Sequence, residues 1–190
     1  PMSFFSMFKP AGPTGFGYGS TAENVTEGLS LAGRTILVTG CNSGIGQEAC
    51  RVLALRGALV LGTARTEEKA TAACATFPGK AIGYACELSE PTSVRGWGAA
   101  VMSAGHRLDA IICNAGIMML PKLETSHGYE LQFFTNHIGH FMLVTGLLAQ
   151  LEDESRVVML SSEGHRKAPV GGVEFDNLSG GKGYEPLAAS

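Results

Sequence analysis

Residues 39–46 read Thr39-Gly40-Cys41-Asn42-Ser43-Gly44-Ile45-Gly46, a Gly-x-x-x-Gly-x-Gly pattern. Glycines in such a cluster let a backbone come close to an anion, and a helix starting there would add free N–H groups and a partial positive charge. The chemistry that suits this arrangement is the holding of a pyrophosphate. It needs a strand before the turn and a helix after it. Both are predicted. Thr35–Thr39 is a β-branched run with no polar alternation, and Gln47–Arg56 is a helical stretch closed by Gly57. The bland alternative is a tight strand-to-helix turn with no ligand.

A second residue sharpens the expectation. Arg65 follows the second predicted strand, where a dinucleotide site meets the adenosine ribose. An acid there would hydrogen-bond the 2′-hydroxyl and repel a 2′-phosphate. Thr63-Ala64-Arg65 instead offers a guanidinium, a good phosphate partner, so NADP(H) is expected over NAD(H). Asn114-Ala115-Gly116 ends the fourth predicted strand, and its small residues leave room for an adenine-ribose. Asn136 and Gly139 are poor choices inside a helix, and a local break there would free backbone groups for a water. His137 and His140 lack an acidic or cysteine partner nearby and read as packing or surface residues, not metal ligands.

The elements that must position these residues alternate along the chain. Strands are predicted over 35–39, 58–63, 80–86 (weakened by Gly83), 108–113 and 156–161. Helices are predicted over 47–56, 67–75, 92–104 and, as one long stretch, 130–151. This β–α alternation implies a doubly wound parallel sheet between two helical layers, an α/β fold. Residues 1–30, interrupted by Pro10, Gly12, Pro13, Gly15, Gly17 and Gly19, read as an N-terminal arm with one candidate helix over 20–29. Residues 31–190 read as the domain, loop-like from 164 onward.

Composition closes off other classes. In 190 residues, 14 Lys and Arg against 17 Asp and Glu give a net charge of −3, the wrong sign for a basic nucleic-acid-binding face. An apolar fraction of 45% excludes a disordered chain. No apolar run approaches the roughly 18–20 residues that span a membrane, and Pro1–Phe8 lacks the features of a secretory signal. Five scattered cysteines suggest neither a disulfide framework nor a zinc site, and point to a reducing, cytoplasmic setting.

The glycine spacing, Asn114-Ala115-Gly116, the Asn136-His137-Ile138-Gly139-His140-Phe141 run and Ser161-Ser162 together resemble the short-chain dehydrogenase/reductase family. The lead-in Gly19-Ser20-Thr21-Ala22-Glu23 and the stretch around Asn136 are most similar to its retinol-dehydrogenase-like branch. The resemblance implies a Rossmann-type, three-layer fold incomplete at its C-terminal end, and an oxidoreductase moving hydride between a nicotinamide and a carbonyl/alcohol pair. It implies cofactor contacts from Gly40, Asn42, Ser43, Gly44, Ile45, Gly46, Arg65, Asn114, Ala115 and Gly116, with Glu87-Leu88 near the adenine. It implies catalytic roles for Asn136, through a water, and for Ser162, which would orient the substrate oxygen. The substrate class implied is a hydrophobic small-molecule aldehyde, ketone or alcohol; a homo-oligomer is usual in the family.

One motif departs from the pattern. The family's Tyr-x-x-x-Lys, which supplies the general acid/base, does not occur in these 190 residues: Tyr184 is followed four residues later by Ala188. The expectation is a chain truncated just before that dyad, inactive alone, since loss of the acid/base group removes about 10²–10⁴-fold or more. The alternative is a non-catalytic dinucleotide-binding module. A methyltransferase on a similar sheet fits less well, because it would want an acid where Ala64-Arg65 stands.

Overall fold

The computed structural model describes residues 12–167 and 171–184. The expectations for Pro1–Phe8 and Pro10, and for the stretch from Glu185 to Ser190, lie outside the described residues. The elements in chain order are α1 (Ala22–Val25), β1 (Thr35–Thr39), α2 (Gly44–Leu55), β2 (Leu59–Ala64), α3 (Glu67–Cys74), β3 (Ala81–Ala85), α4 (Pro91–Ser103) and β4 (Leu108–Cys113). A small hairpin, β5 (Thr125–Ser126) and β6 (Tyr129–Glu130), precedes α5 (Leu131–Phe133), a π-helical segment (Phe134–Gly139), α6 (His140–Gly146) and β7 (Leu151–Met159).

The main sheet has the order β3-β2-β1-β4-β7, with every neighbouring pair parallel. Successive residues of β1 point to opposite faces, and both faces are covered. Ile36 and Val38 pack with Cys50 and Ala54 of α2 and with Ala70 and Cys74 of α3. Leu37 packs the other way, with Val94, Trp97 and Val101 of α4 and Leu143 of α6. Full burial of each such aliphatic side chain contributes about 1.5–3 kcal/mol, which is why the β-branched run of β1 sits at the centre. The result is the doubly wound α/β/α architecture of a Rossmann-like domain.

Several boundaries differ from the sequence reading, each for a physical reason. Helix α2 starts at Gly44, earlier than expected, because the last glycines of the turn already form its first turn. Gly83 does not mark a weak strand: a Cβ there would sit 2.4 Å from the backbone of Ala70 and Thr71, so its absence lets α3 lie directly on β3. The candidate helix over 20–29 is a single turn, capped by Thr21 and Asn24. It is held against α2 by Arg51–Glu23 and by Arg56, which donates to Thr26 Oγ1 (3.0 Å) and the Glu23 carbonyl (2.8 Å). The strand expected over 156–161 begins instead at Leu151, with an irregularity before Arg156 where Glu154 takes a positive φ of 64°. Its charged opening, Glu152-Asp153-Glu154, hides it from a hydrophobicity reading. The start is pinned by Arg107, which donates to Glu152 and to the carbonyls of Ala149 and Leu151.

The order 3-2-1-4-7 reverses direction between β1 and β4. In open parallel sheets the crevice beyond the strand ends at such a reversal is where ligands bind. The turn 39–46 leaves β1, and Asn114-Ala115-Gly116 leaves β4, on either side of it.

Candidate functional site

A cleft of about 530 Å³ opens at the carboxyl ends of β1 to β4. Every residue expected to touch a dinucleotide lines it: Gly40, Asn42, Ser43, Gly44, Ile45 and Gly46 from the first turn, Arg65 after β2, Glu87 and Leu88 after β3, and Asn114, Ala115 and Gly116 after β4. Ser43 stands at the N-cap of α2 without a side-chain bond to the helix, so the leading N–H groups are not capped from that position.

The turn is built by close contacts. Gly40 and Gly44 take positive φ values of 74° and 55°. Gly46 has no room for a side chain: an added Cβ would lie 2.2 Å from the Gly40 carbonyl oxygen and 2.3 Å from Asn114 Nδ2. Asn114 Nδ2 also donates to the Thr39 carbonyl at 2.9 Å. The first turn, the start of α2 and the end of β4 are thus one packed unit, and Gly46 is its narrowest point.

The end of the cleft beyond β2 carries two cations. Arg65 is exposed at the cleft wall. Lys69, which the sequence reading did not single out, lines the same wall from the first turn of α3. Thr66 caps that turn by accepting from Lys69 N at 3.3 Å. The signal was available: Lys69 falls in the first turn of the helix that follows the same strand end as Arg65. Glu87 is curled back, its Oε1 accepting from Ser89 N (3.2 Å) and Ser89 Oγ (2.9 Å). Burial, with the Glu87 charge beside it, pushes the Cys86 thiol up to about 12, so this cleft-lining sulfur is no thiolate at neutral pH.

The two residues given catalytic roles by resemblance sit differently. Asn136 lies in the π-helical segment, where the expected long helix is interrupted. Its side chain clamps the far wall of the cleft: Oδ1 accepts from Ile117 N (2.9 Å) and Nδ2 donates to the Ile117 carbonyl (2.8 Å). Ser162 follows β7, is exposed, and accepts from Gly164 N at 3.1 Å. It does not line the cleft. Tyr184 donates to the Leu120 carbonyl at 2.9 Å.

The residues present fit a dinucleotide. A glycine cradle that a Cβ would fill faces a helix N-terminus, cations stand at one end, and the buried Thr135 hydroxyl lining the cleft has no hydrogen-bond partner among the described residues.

His140, expected as a packing or surface residue, is buried, and its partner is the Thr39 hydroxyl, for which the sequence suggested no role of its own. Thr39 is fully buried, and its hydroxyl oxygen accepts from both Asn114 N and Ala115 N at 2.9 Å. His140, 2% exposed, sits 2.9 Å from the same hydroxyl. Burial holds its imidazole below the ordinary histidine range; the His137 charge acts in the same direction, and the bond to Asn136 opposes it. The unfolded ring takes a proton near pH 6.5, the folded ring only at lower pH. Stability from this site is therefore full above about pH 6.5 and is lost as the pH falls toward the folded value, at up to about 1.4 kcal/mol per pH unit in that window. Urea unfolding at pH 7.5 and 5.5 should show this loss, and His140→Phe should reduce it.

Comparison with known proteins places this geometry. The family described as short chain dehydrogenase matches residues 34–174. A short-chain dehydrogenase named TIC 32 B, chloroplastic, from Brassica napus is 37% identical over 181 residues, covering 89% of this chain and 57% of that protein. Retinol dehydrogenase 13 from Homo sapiens is 35% identical over 157 residues, 79% of this chain and 46% of that protein. The chain thus spans about half the length of the curated relatives it matches. Among solved structures, an uncharacterized protein from Mycobacterium Paratuberculosis superposes with a TM-score of 0.76 at 35% identity, over 85% of this chain and 57% of that one. A short chain dehydrogenase from Burkholderia cenocepacia, solved in complex with NADP, gives 0.61 at 26% identity, over 78% and 63%. With that family matched over residues 34–174 and retinol dehydrogenases among the relatives, the chain belongs to the short-chain dehydrogenase/reductase family, in its retinol-dehydrogenase-like branch.

Proposed function

We propose that this chain carries the NADP(H)-binding part of an oxidoreductase that interconverts a hydrophobic carbonyl compound and its alcohol. The observation that supports this most is the gathering of all twelve expected cofactor residues into one cleft at the sheet's reversal point. In this reading the turn 40–46 and the start of α2 hold the pyrophosphate. Arg65, with Lys69, holds the phosphate on the adenosine sugar. Glu87-Leu88 and Asn114-Ala115-Gly116 flank the adenosine. When bound, the dinucleotide supplies or takes up the hydride. Asn136 shapes the nicotinamide-side wall, and Ser162 orients the substrate oxygen. The reading divides the chain into an arm over 1–30 and the binding domain over 31–190. It keeps a cytoplasmic setting, supported by five free, buried cysteines; no helix among the described residues is long and apolar enough to cross a membrane.

No tyrosine in the sequence has a lysine four residues later. The alternative kept beside the enzyme reading is a module that binds the dinucleotide without turning it over. The 190-residue protein is expected to bind NADPH more tightly than NADH in a fluorescence titration, and to show no oxidation of NADPH with a panel of hydrophobic aldehydes and ketones. Absence of NADPH binding would overturn the cofactor reading. Steady carbonyl-dependent oxidation would overturn the inactivity.

A further inference from the structure

The buried polar chain behind the cleft runs through a single imidazole. Thr39 Oγ1 accepts from Asn114 N and Ala115 N, which uses both of its lone pairs. Its proton must then go elsewhere. The candidates are His140 Nε2 at 2.9 Å and the Ile112 carbonyl at 3.5 Å, and the shorter contact is the real hydrogen bond. The other ring nitrogen, Nδ1, faces the Asn136 carbonyl at 2.8 Å. A carbonyl only accepts, so Nδ1 carries the hydrogen and Nε2 receives one. The partners on the two sides therefore agree on one neutral tautomer, and a second proton on Nε2 would meet an oxygen with no lone pair to offer.

The connection has a direction. Beyond Asn136 its side chain holds both the N–H and the carbonyl of Ile117 on the cleft wall. Thr39 ends β1, next to the glycine turn. His140 opens α6, immediately after the π-helical segment. A run of hydrogen bonds thus passes from the ends of β1 and β4, through the ring, to the Asn136 backbone and on to the opposite wall. Without the ring, nothing among the described residues links Thr39 Oγ1 to the Asn136 carbonyl. A phenyl ring would keep most of the bulk and lose both bonds.

We infer that His140 is a positioning residue of the cleft: as the neutral Nδ1–H tautomer it fastens the π-helical segment to the end of β1, and so sets Asn136 and the Ile117 wall relative to the glycine turn. This rests on the dinucleotide reading for its consequence, but not for its geometry. His140 does not touch the ligand; it acts through Asn136 and Thr39.

The test uses the full 190-residue protein labelled with ¹⁵N. At pH 7 the His140 ring should show a protonated Nδ1 and an unprotonated Nε2. His140→Phe should shift the Ile117 and Asn136 amide resonances and weaken NADPH binding about tenfold, the usual size for lost buried hydrogen bonds. Thr39→Val should weaken NADPH binding to a similar degree, and Thr39→Ser, which keeps the hydroxyl, should recover most of that loss. A ring protonated on Nε2, an Ile117 amide unmoved in His140→Phe, or equal affinities for Thr39→Val and Thr39→Ser would each overturn the inference. Should His140→Phe fail to fold, the wild-type tautomer and the Thr39 pair still decide it. If the wild-type protein bound no NADPH, the dinucleotide reading would fall, while the tautomer and the Ile117 shift would still judge the fastening separately.

Discussion

Gly46→Ala is expected to weaken NADPH binding by at least about 100-fold, some 2.7 kcal/mol. The added methyl would lie 2.2 Å from the Gly40 oxygen and 2.3 Å from Asn114 Nδ2, so backbone has to move on one side. Overpacking of this kind costs about 1–3 kcal/mol, and here the displaced groups are the glycine turn and the residue that ties it to β4. Gly96→Ala is the matched control. Gly96 lies on the exposed side of α4 with open space where its Cβ would be. That change should leave binding alone and raise stability by about 0.5–1 kcal/mol, the gain of alanine over glycine in a helix interior. Isothermal calorimetry with thermal melts on both variants separates the two effects. Full NADPH affinity in Gly46→Ala would mean that the turn does not carry the cofactor.

Arg65→Glu is expected to invert the cofactor preference. Charge-assisted hydrogen bonds contribute about 1.5–3 kcal/mol each, and the substitution replaces attraction for a phosphate dianion by repulsion. NADPH affinity should drop about 100-fold, while NADH affinity holds or improves, because a carboxylate can accept from the ribose 2′-hydroxyl. Lys69 on the same wall blunts the loss, so Arg65→Glu with Lys69→Ala should discriminate further than either change alone. Unaltered discrimination would remove the basis for choosing NADP(H).

The parts of the site made from local sequence were legible in it. The β-branched run of β1, the glycine spacing after it and the apolar run of β4, which begins and ends where the sequence predicts, are signals carried within a few residues. The place of Arg65 on the cleft wall followed because a strand end fixes where it must stand. Other features depend on partners far along the chain. His140 and Thr39 are 101 residues apart, and no spacing rule joins them. The break in the expected long helix was signalled by Asn136 and Gly139, but its π-helical form was not. The β5–β6 hairpin consists of two-residue strands, too short to show alternation. The start of β7 carries three acids and is held by Arg107, a pairing that hydrophobicity does not reveal.

If the turn 40–46 grips a dinucleotide's phosphates at the reversal of the sheet, titrating NADP⁺ into the ¹⁵N-labelled protein will show it. Saturable shifts are expected, concentrated on the amides of Gly40 to Gly46, with further changes at Arg65 and Ala115. Shifts absent at saturating NADP⁺, or clustered away from that turn, would contradict it.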